Sequence, residues 1–327
     1  MKRTVKKALK FGLLITSAAA LLSCSAEAPV RTAQYAVQGL HSAALSDDGS
    51  SSVVGSIQHG GSYWKNARNE RSFNWNHASG EYTTLTSVDI DPSGEFAATG
   101  SARTLVLWSA LTGKLDGFWT TPGDIQSLKL TQNGDYALLG LNDQTARFFD
   151  IKRGGIKQTF RTNSTVRAVD VTPDVTFALT GDDNGNVILW DILTGKQKHQ
   201  WNLGNKISTV ALSADGKYAF GAAHLGAAKI WSTLTGVELS TIDTGSLKYR
   251  NVTISQAVFS TKDRSILVGE ANGRVSLIQT STGVVQKEWD LYAAKNRPSG
   301  SNVLALAYAL GNRYYAIGSN GYLNVLE

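Results

Sequence analysis

Aromatic residues recur along this chain on a nearly fixed ruler, and no feature constrains its fold more. In GDDNGNVILWDILTGK, residues 181–196, Gly181 precedes Trp190 by nine positions, and Trp201 follows eleven further on. The same spacing joins Gly55, Trp64 and Trp75; Gly100, Trp108 and Trp119; Gly140, Phe149 and Phe160; Gly221, Trp231 and Ile242; and Gly269, Ile278 and Trp289. The first interval varies by one residue and the second is eleven every time. Successive copies of the Trp190 position lie 44, 41, 41, 41 and 47 residues apart, and AIGSNGYLNVLE ends the chain as a seventh, unfinished copy. A unit this short cannot bury an apolar face alone, so copies must stack on one another. With 42% hydrophobic residues and only 5 Pro in 327 residues, the chain has the material for one continuous repeat domain.

Each copy reads as four short strands. In the fourth, the alternating run 166–171 meets the turn Thr172-Pro173-Asp174, the run 177–180 meets Asp182 to Asn186, and Val187 to Trp190 leads through Thr194-Gly195 to a last strand carrying Trp201. Asn184-Gly185 between apolar runs predicts a type I′ hairpin, whose two central residues both need positive φ. The eleven-residue interval predicts that Trp190 and Trp201 lie diagonally on adjacent strands, on one face, and pack against a neighbouring sheet.

The first residues stand outside this pattern. Lys2, Arg3, Lys6, Lys7 and Lys10 precede an apolar stretch from Phe11 to Leu22, too short to span a bilayer and arranged as an export signal. Those five cations are part of the chain's 32 Lys and Arg, and no acid lies before residue 24, so beyond the signal the formal +6 charge nearly vanishes. That balance removes a global argument for binding nucleic acid. Cys24 is the single cysteine, so no disulfide within the chain is available.

Ser23-Cys24 resembles the lipobox of bacterial lipoproteins, which implies cleavage before Cys24 and lipid on its thiol. Ser25, rather than Asp, resembles the outer-membrane sorting pattern of Gram-negative bacteria. The expected organisation is a signal peptide over 1–23, lipidated Cys24 and a short tether over 24–31, and the repeat domain over 32–327. Seven residues from Ser25 to Arg31 reach roughly 23 Å when extended, so the domain is expected close to the membrane.

Four-stranded repeats of about 41 residues with Trp190-Asp191 closing a third strand resemble the WD40 family, over roughly 32–327. Trp108-Ser109, Phe149-Asp150 and Trp231-Ser232 each keep half of the dipeptide. The resemblance implies an all-β, seven-bladed β-propeller, sheets arranged radially about a channel. The family's Gly-His pair is echoed only in Gly39-Leu40-His41, which leaves the hydrogen-bonded tetrad of many WD40 blades without its usual His. Thr-Gly-Lys at 112–114 and 194–196 is similar to quinoprotein-type repeats, but Trp119 and Trp201 lie five residues past the Lys, where three is usual, and seven copies do not make eight blades. An unfinished seventh copy would leave an open sheet edge. Residues 32–38, with Tyr35 in the place of Trp201, are expected to supply its outer strand.

No catalytic constellation is expected. His41, His59, His77, His199 and His224 are scattered and read as solvated loop residues. Asp182 to Asn186 lacks the closing Glu of a calcium loop and is explained by turn chemistry, so no metal or cofactor is expected. Three stretches exceed the repeat norm, 76–86, 243–255 and 290–303, and all connect an outer strand to the next inner strand on one face of the disc. Loops on a rigid scaffold are where recognition concentrates. Tyr82, Lys248, Tyr249, Arg250, Tyr292, Lys295 and Arg297 are the expected partner-binding residues, combining aromatic and basic groups. The expectation is a monomeric, non-catalytic protein-interaction scaffold of the bacterial cell envelope. It is held by the N-terminal lipid, faces the periplasm, and binds envelope proteins rather than nucleic acid. The alternative is an enzyme or small-ligand binder using the channel, with Asp124, Arg167, Lys206 and Arg250 as its candidate groups.

Overall fold

The computed structural model describes residues 26–242, 252–261, 264–293 and 301–327. Their strands form seven antiparallel sheets of four. Six are meanders of consecutive strands, blades 1 to 6, over 40–75, 87–120, 125–161, 166–202, 207–242 and 254–290. Blade 7 takes three strands from the C-terminal end and its outermost strand from the N-terminal side: Arg31–Gln34 pairs with Tyr322–Leu326 in the register Arg31 to Val325 and Gln34 to Tyr322. The first strands of all seven blades line a central channel.

Local chemistry sets the turns. The residue after the first strand places a side-chain oxygen on the backbone N–H five positions on: Ser46 to Ser51 at 3.0 Å, Asp91 to Phe96 at 2.8 Å, Thr131 to Tyr136 at 3.0 Å, Thr172 to Phe177 at 3.0 Å, and Ser213 to Tyr218 at 2.9 Å. Short polar side chains suit this role because they can replace a ladder bond where the chain reverses. The turn before Val187 departs from expectation. Gly185 alone has positive φ, at 82°, and Asn184 does not, so the turn is not type I′. Asp182 is the reason: its Oδ1 accepts from the N–H groups of Asn184 and Asn186, both at 2.9 Å, and fixes a different turn.

The aromatic ruler also works differently from the expected diagonal pair. Trp201 stands opposite Val187, while a bulge separates the Leu189 and Trp190 pairings, so Trp190 and Trp201 face opposite sides of their blade. Each therefore reaches a different neighbour. The outer aromatic of one blade meets the third-strand aromatic of the next: Trp75 with Trp108 at 5.3 Å, Trp119 with Phe149 at 5.6 Å, Phe160 with Trp190 at 5.3 Å, and Trp201 with Trp231 at 4.6 Å between ring centroids. Ile242 and Ile278 share one buried cluster at the next junction, and Trp289 meets Tyr314 at the one after. The series closes with Tyr35 stacked on Trp64 at 4.2 Å and 12°.

That last contact explains why the N-terminal strand ends at Gln34 rather than continuing to residue 38. Tyr35 and Ala36 leave the ladder and both donate their N–H groups to the Gly321 carbonyl, at 2.8 and 3.3 Å. The Tyr35 hydroxyl donates to Asn66 Oδ1 at 2.9 Å, and Asn66 Nδ2 in turn donates to the Gly49 carbonyl at 2.8 Å. Gly321 has φ of +88°, and a Cβ there would collide with the Ala36 carbonyl, so this clasp requires glycine.

Candidate functional site

The inner strands are sewn together around the channel. Ser42 donates to the Leu85 carbonyl, Ser208 to that of Ile254 and Ser255 to that of Val303, while Val169 N–H donates to Ser127 Oγ. At the two remaining junctions between blades 1 and 6 a carboxylate takes over. Asp89 accepts from Leu130 N–H and Asp170 from Leu212 N–H, both at 2.7 Å. Lys129 stands 3.4 Å from Asp89. Burial pushes the Asp89 carboxyl up to about 6, with the Lys129 charge acting against it, and raises Asp170 and Asp47 as well. The adjoining carboxylates raise Lys129 further above its ordinary value. These channel carboxylates went unrecognised in sequence, although their inward-facing places in SVDI and VRAVDV are the signal that could have found them.

The channel encloses about 430 Å³. Of the four groups proposed for channel chemistry, Arg167 lines it, but its guanidinium is held by Asp183 at 2.8 and 2.9 Å and by Gln126 at 2.7 Å. Asp124 pairs with Asn142 away from the channel wall, Lys206 does not line it, and Arg250 lies outside the described residues. Among the described residues no group of three His, Cys, Asp or Glu could hold a metal ion.

His77 is not a solvated loop residue. Its ring nitrogens lie 2.8 Å from Thr104 and 2.8 Å from Thr99, and Thr99 also accepts the Trp108 indole N–H at 2.8 Å. This Trp-Thr-His chain ties the connection after blade 1 to the second and third strands of blade 2. Burial pushes the imidazole down to about 4. The 76–86 stretch is accordingly only partly free, because its Leu85 is also fully buried between blades 1 and 2.

On the face carrying the outer-to-inner connections, two expected residues are described. Tyr82 is 69% exposed and meets His59 edge-on at 5.6 Å. Tyr292 is exposed and packs on Tyr322 at 4.8 Å, its carbonyl accepting from Asn320 at 2.8 Å and its N–H donating to Asn324 at 2.9 Å. Lys248, Tyr249, Arg250, Lys295 and Arg297, like Cys24, lie outside the described residues. Between the two tyrosines around the ring, Val37 and Ile57 are also exposed. Sequence reasoning looked to the long connections and so passed over Val37, which it placed in the expected strand 32–38, Ile57 and His59 in a short turn, and Tyr322 at the start of a strand. Together these residues form an aromatic and apolar series over blades 7 and 1 and the connections on either side.

Radial sheets, a sewn inner ring and aromatic junctions define the class: this chain is a seven-bladed β-propeller. Two of its repeats match the family described as WD domain, G-beta repeat, over residues 73–109 and 154–191. The chain is also similar to eukaryotic translation initiation factor 3 subunit I of Vanderwaltozyma polyspora, 37% identical over 65 residues. That match covers 20% of this chain and 19% of the yeast protein, so it spans about a fifth of the length of that relative.

Proposed function

We propose that this propeller is a non-catalytic protein-interaction scaffold, held at a bacterial cell envelope by lipid on Cys24, with the outer-to-inner loop face as its binding surface. The observation that carries the reading is the exposed series Tyr82, His59, Ile57, Val37 and Tyr292, with the partly buried Tyr322 against Tyr292, mounted on a closed, rigid ring. Aromatic groups fixed on a preformed scaffold bind at low entropic cost and are enriched at interaction hot spots. WD40 propellers generally bind other proteins, and the similar yeast protein is by its name a subunit of an assembly. The anchor rests on the basic segment, the twelve apolar residues and Ser23-Cys24, and outer-membrane placement on Ser25.

Two measurements test this. A photo-crosslinker at position 82 or 292 should capture the same envelope protein, and Tyr82→Ala/Tyr292→Ala should lose it in pull-downs from solubilised membranes while melting like the parent. Retention of the partner by the folded double variant removes the site. Cys24→Ser should shift the protein from the membrane to the soluble fraction, and an unchanged distribution removes the lipid anchor.

A further inference from the structure

The face opposite the proposed binding surface carries its own repeated feature. Turns between third and fourth strands, like those between first and second, emerge there. In blades 2, 4 and 5 the same turn position holds a leucine whose side chain lies almost wholly in solvent: Leu111 is 85% exposed, Leu193 89% and Leu234 79%. None of the three is loosely presented. In each turn the glycine two residues on donates its N–H back to the last residue of the third strand: Gly113 to Ser109, Gly195 to Asp191 and Gly236 to Ser232, each near 2.8 to 2.9 Å. Asp191 further holds Thr194 through both its N–H and its hydroxyl at 2.8 Å. Val237 and Val284 in such turns, and Leu310 in a first-to-second-strand turn, are exposed too. Single exposed apolar residues are ordinary. Three leucines at one position of a repeat, on rigid turns at the rim of one face, form a pattern.

The N-terminal end of the described chain is fixed to the outer strand of blade 6. Glu27 runs parallel beside Trp289, donating its N–H to the Glu288 carbonyl at 2.9 Å and accepting from Asp290 N–H at 3.0 Å. Lys287 pairs with its carboxylate at 3.0 Å. Glu27 lies within the stretch read as a tether, yet it is pinned to blade 6. At Glu27 the chain therefore runs in the same direction as Val285–Asp290, a strand that starts from the turn of Gly283 and Val284 on the leucine face. Cys24 precedes Glu27 by three residue steps, a reach of roughly 10 Å at full extension.

We propose that the leucine-bearing face rests on the lipid bilayer, with Leu111, Leu193 and Leu234 dipping into its interfacial region and the aromatic loop face turned away toward protein partners. The inference rests on the Cys24 anchor for its membrane. Separate apolar tips on rigid turns suit a fluid surface, which needs no matching pockets, better than a protein partner, which would need three. Contact is through the rim rather than the centre, because the first-to-second-strand turns nearer the channel carry Asp47, Asp48, Glu95, Asp135, Asp174 and Asp215. Binding through the tips is therefore expected to tolerate salt and to need no anionic lipid.

The lipidated chain has no other thiol, so a cysteine placed at 111, 193 or 234 can carry a single spin label, with position 82 as the control. In phosphatidylethanolamine/phosphatidylglycerol vesicles, labels at 111, 193 and 234 should become more accessible to oxygen than to a water-soluble nickel chelate, and the label at 82 should stay aqueous. Flotation with the vesicles reports the anchor separately from this depth reading. A floating protein whose four labels all remain aqueous overturns the orientation. Should the chain not float, the anchor reading fails, and the Leu193→Cys label measured at high lipid concentration still decides the face, an aqueous label again overturning it. Labels aqueous on protein-free vesicles but shielded in native membranes would also overturn it, in favour of a protein partner.

Discussion

Tyr35→Ala perturbs the ring where its two ends meet. The phenol is 8% exposed, stacks on Trp64 at 4.2 Å and gives its hydroxyl to Asn66 at 2.9 Å. Truncating a buried aromatic to alanine costs about 3–5 kcal/mol, combining lost transfer energy with the cavity left behind. Tyr35→Phe keeps the ring and removes one hydrogen bond. Asn66 Oδ1 still accepts from Ser52 at 2.7 Å, so the cost should be only about 1 kcal/mol. Urea unfolding followed by both tryptophan fluorescence and far-UV circular dichroism measures both variants, with coincident transitions as the check that the ring opens as one unit. The stacking contribution should appear as a coupling of about 1 kcal/mol in a double-mutant cycle with Trp64→Leu. A Tyr35→Ala variant less than about 1 kcal/mol below the parent would refute the claim that this contact joins the ends of the ring.

Gly321→Ala should destabilise the protein by more than about 1 kcal/mol in the same assay, because its Cβ meets the Ala36 carbonyl and its φ of +88° disfavours a side chain. Asp170→Ala should cost about 1–3 kcal/mol by leaving the Leu212 N–H without its acceptor between blades 4 and 5. His77 introduces a pH dependence: its pKa is about 4 when folded and 6.5 when unfolded, so as pH falls the unfolded chain takes the proton first. The His77 contribution to stability is therefore complete above about pH 6.5, declines between 6.5 and 4, and levels off below, while Asp89, raised by burial to about 6, acts in the opposite direction over the lower part of that window. The loss is at most about 3 kcal/mol, and about 2 kcal/mol after allowing for solvent screening of a partly exposed ring. The stability difference between the parent and a His77→Gln variant, read from urea midpoints, should fall as pH drops from 6.5 to 4.

Much of the architecture is legible in the chain because the repeat is written in residues with strong local or packing requirements. The eleven-residue aromatic interval counted the blades, and the spare strand before the first copy located the closure. The partners of those aromatics were not legible, since a bulge at Trp190 turns Trp190 and Trp201 to opposite faces, and bulges leave no fixed mark in sequence. Asp182 overrode the Asn184-Gly185 turn signal through its own side chain. His77 and Leu85 illustrate the limit for the candidate site: both sit in a long, polar connection, and what buries them is the junction of blades 1 and 2, about which loop composition says nothing. Loop length singled out Tyr82 and Tyr292 as candidates, whereas Val37, Ile57, His59 and Tyr322 come beside them only through the circular order of the blades.

The closure itself can be tested by covalent trapping. Gln34 faces Tyr322 across the ladder between the N-terminal strand and the end of the chain, a cross-strand separation suited to a disulfide. In a Cys24→Ser background, Gln34→Cys with Tyr322→Cys should oxidise readily in the folded protein, giving a faster-migrating band on non-reducing gels that neither single variant shows. Two thiols that stay free and fully alkylated in the native protein under the same oxidant would contradict a propeller closed by its own leading strand.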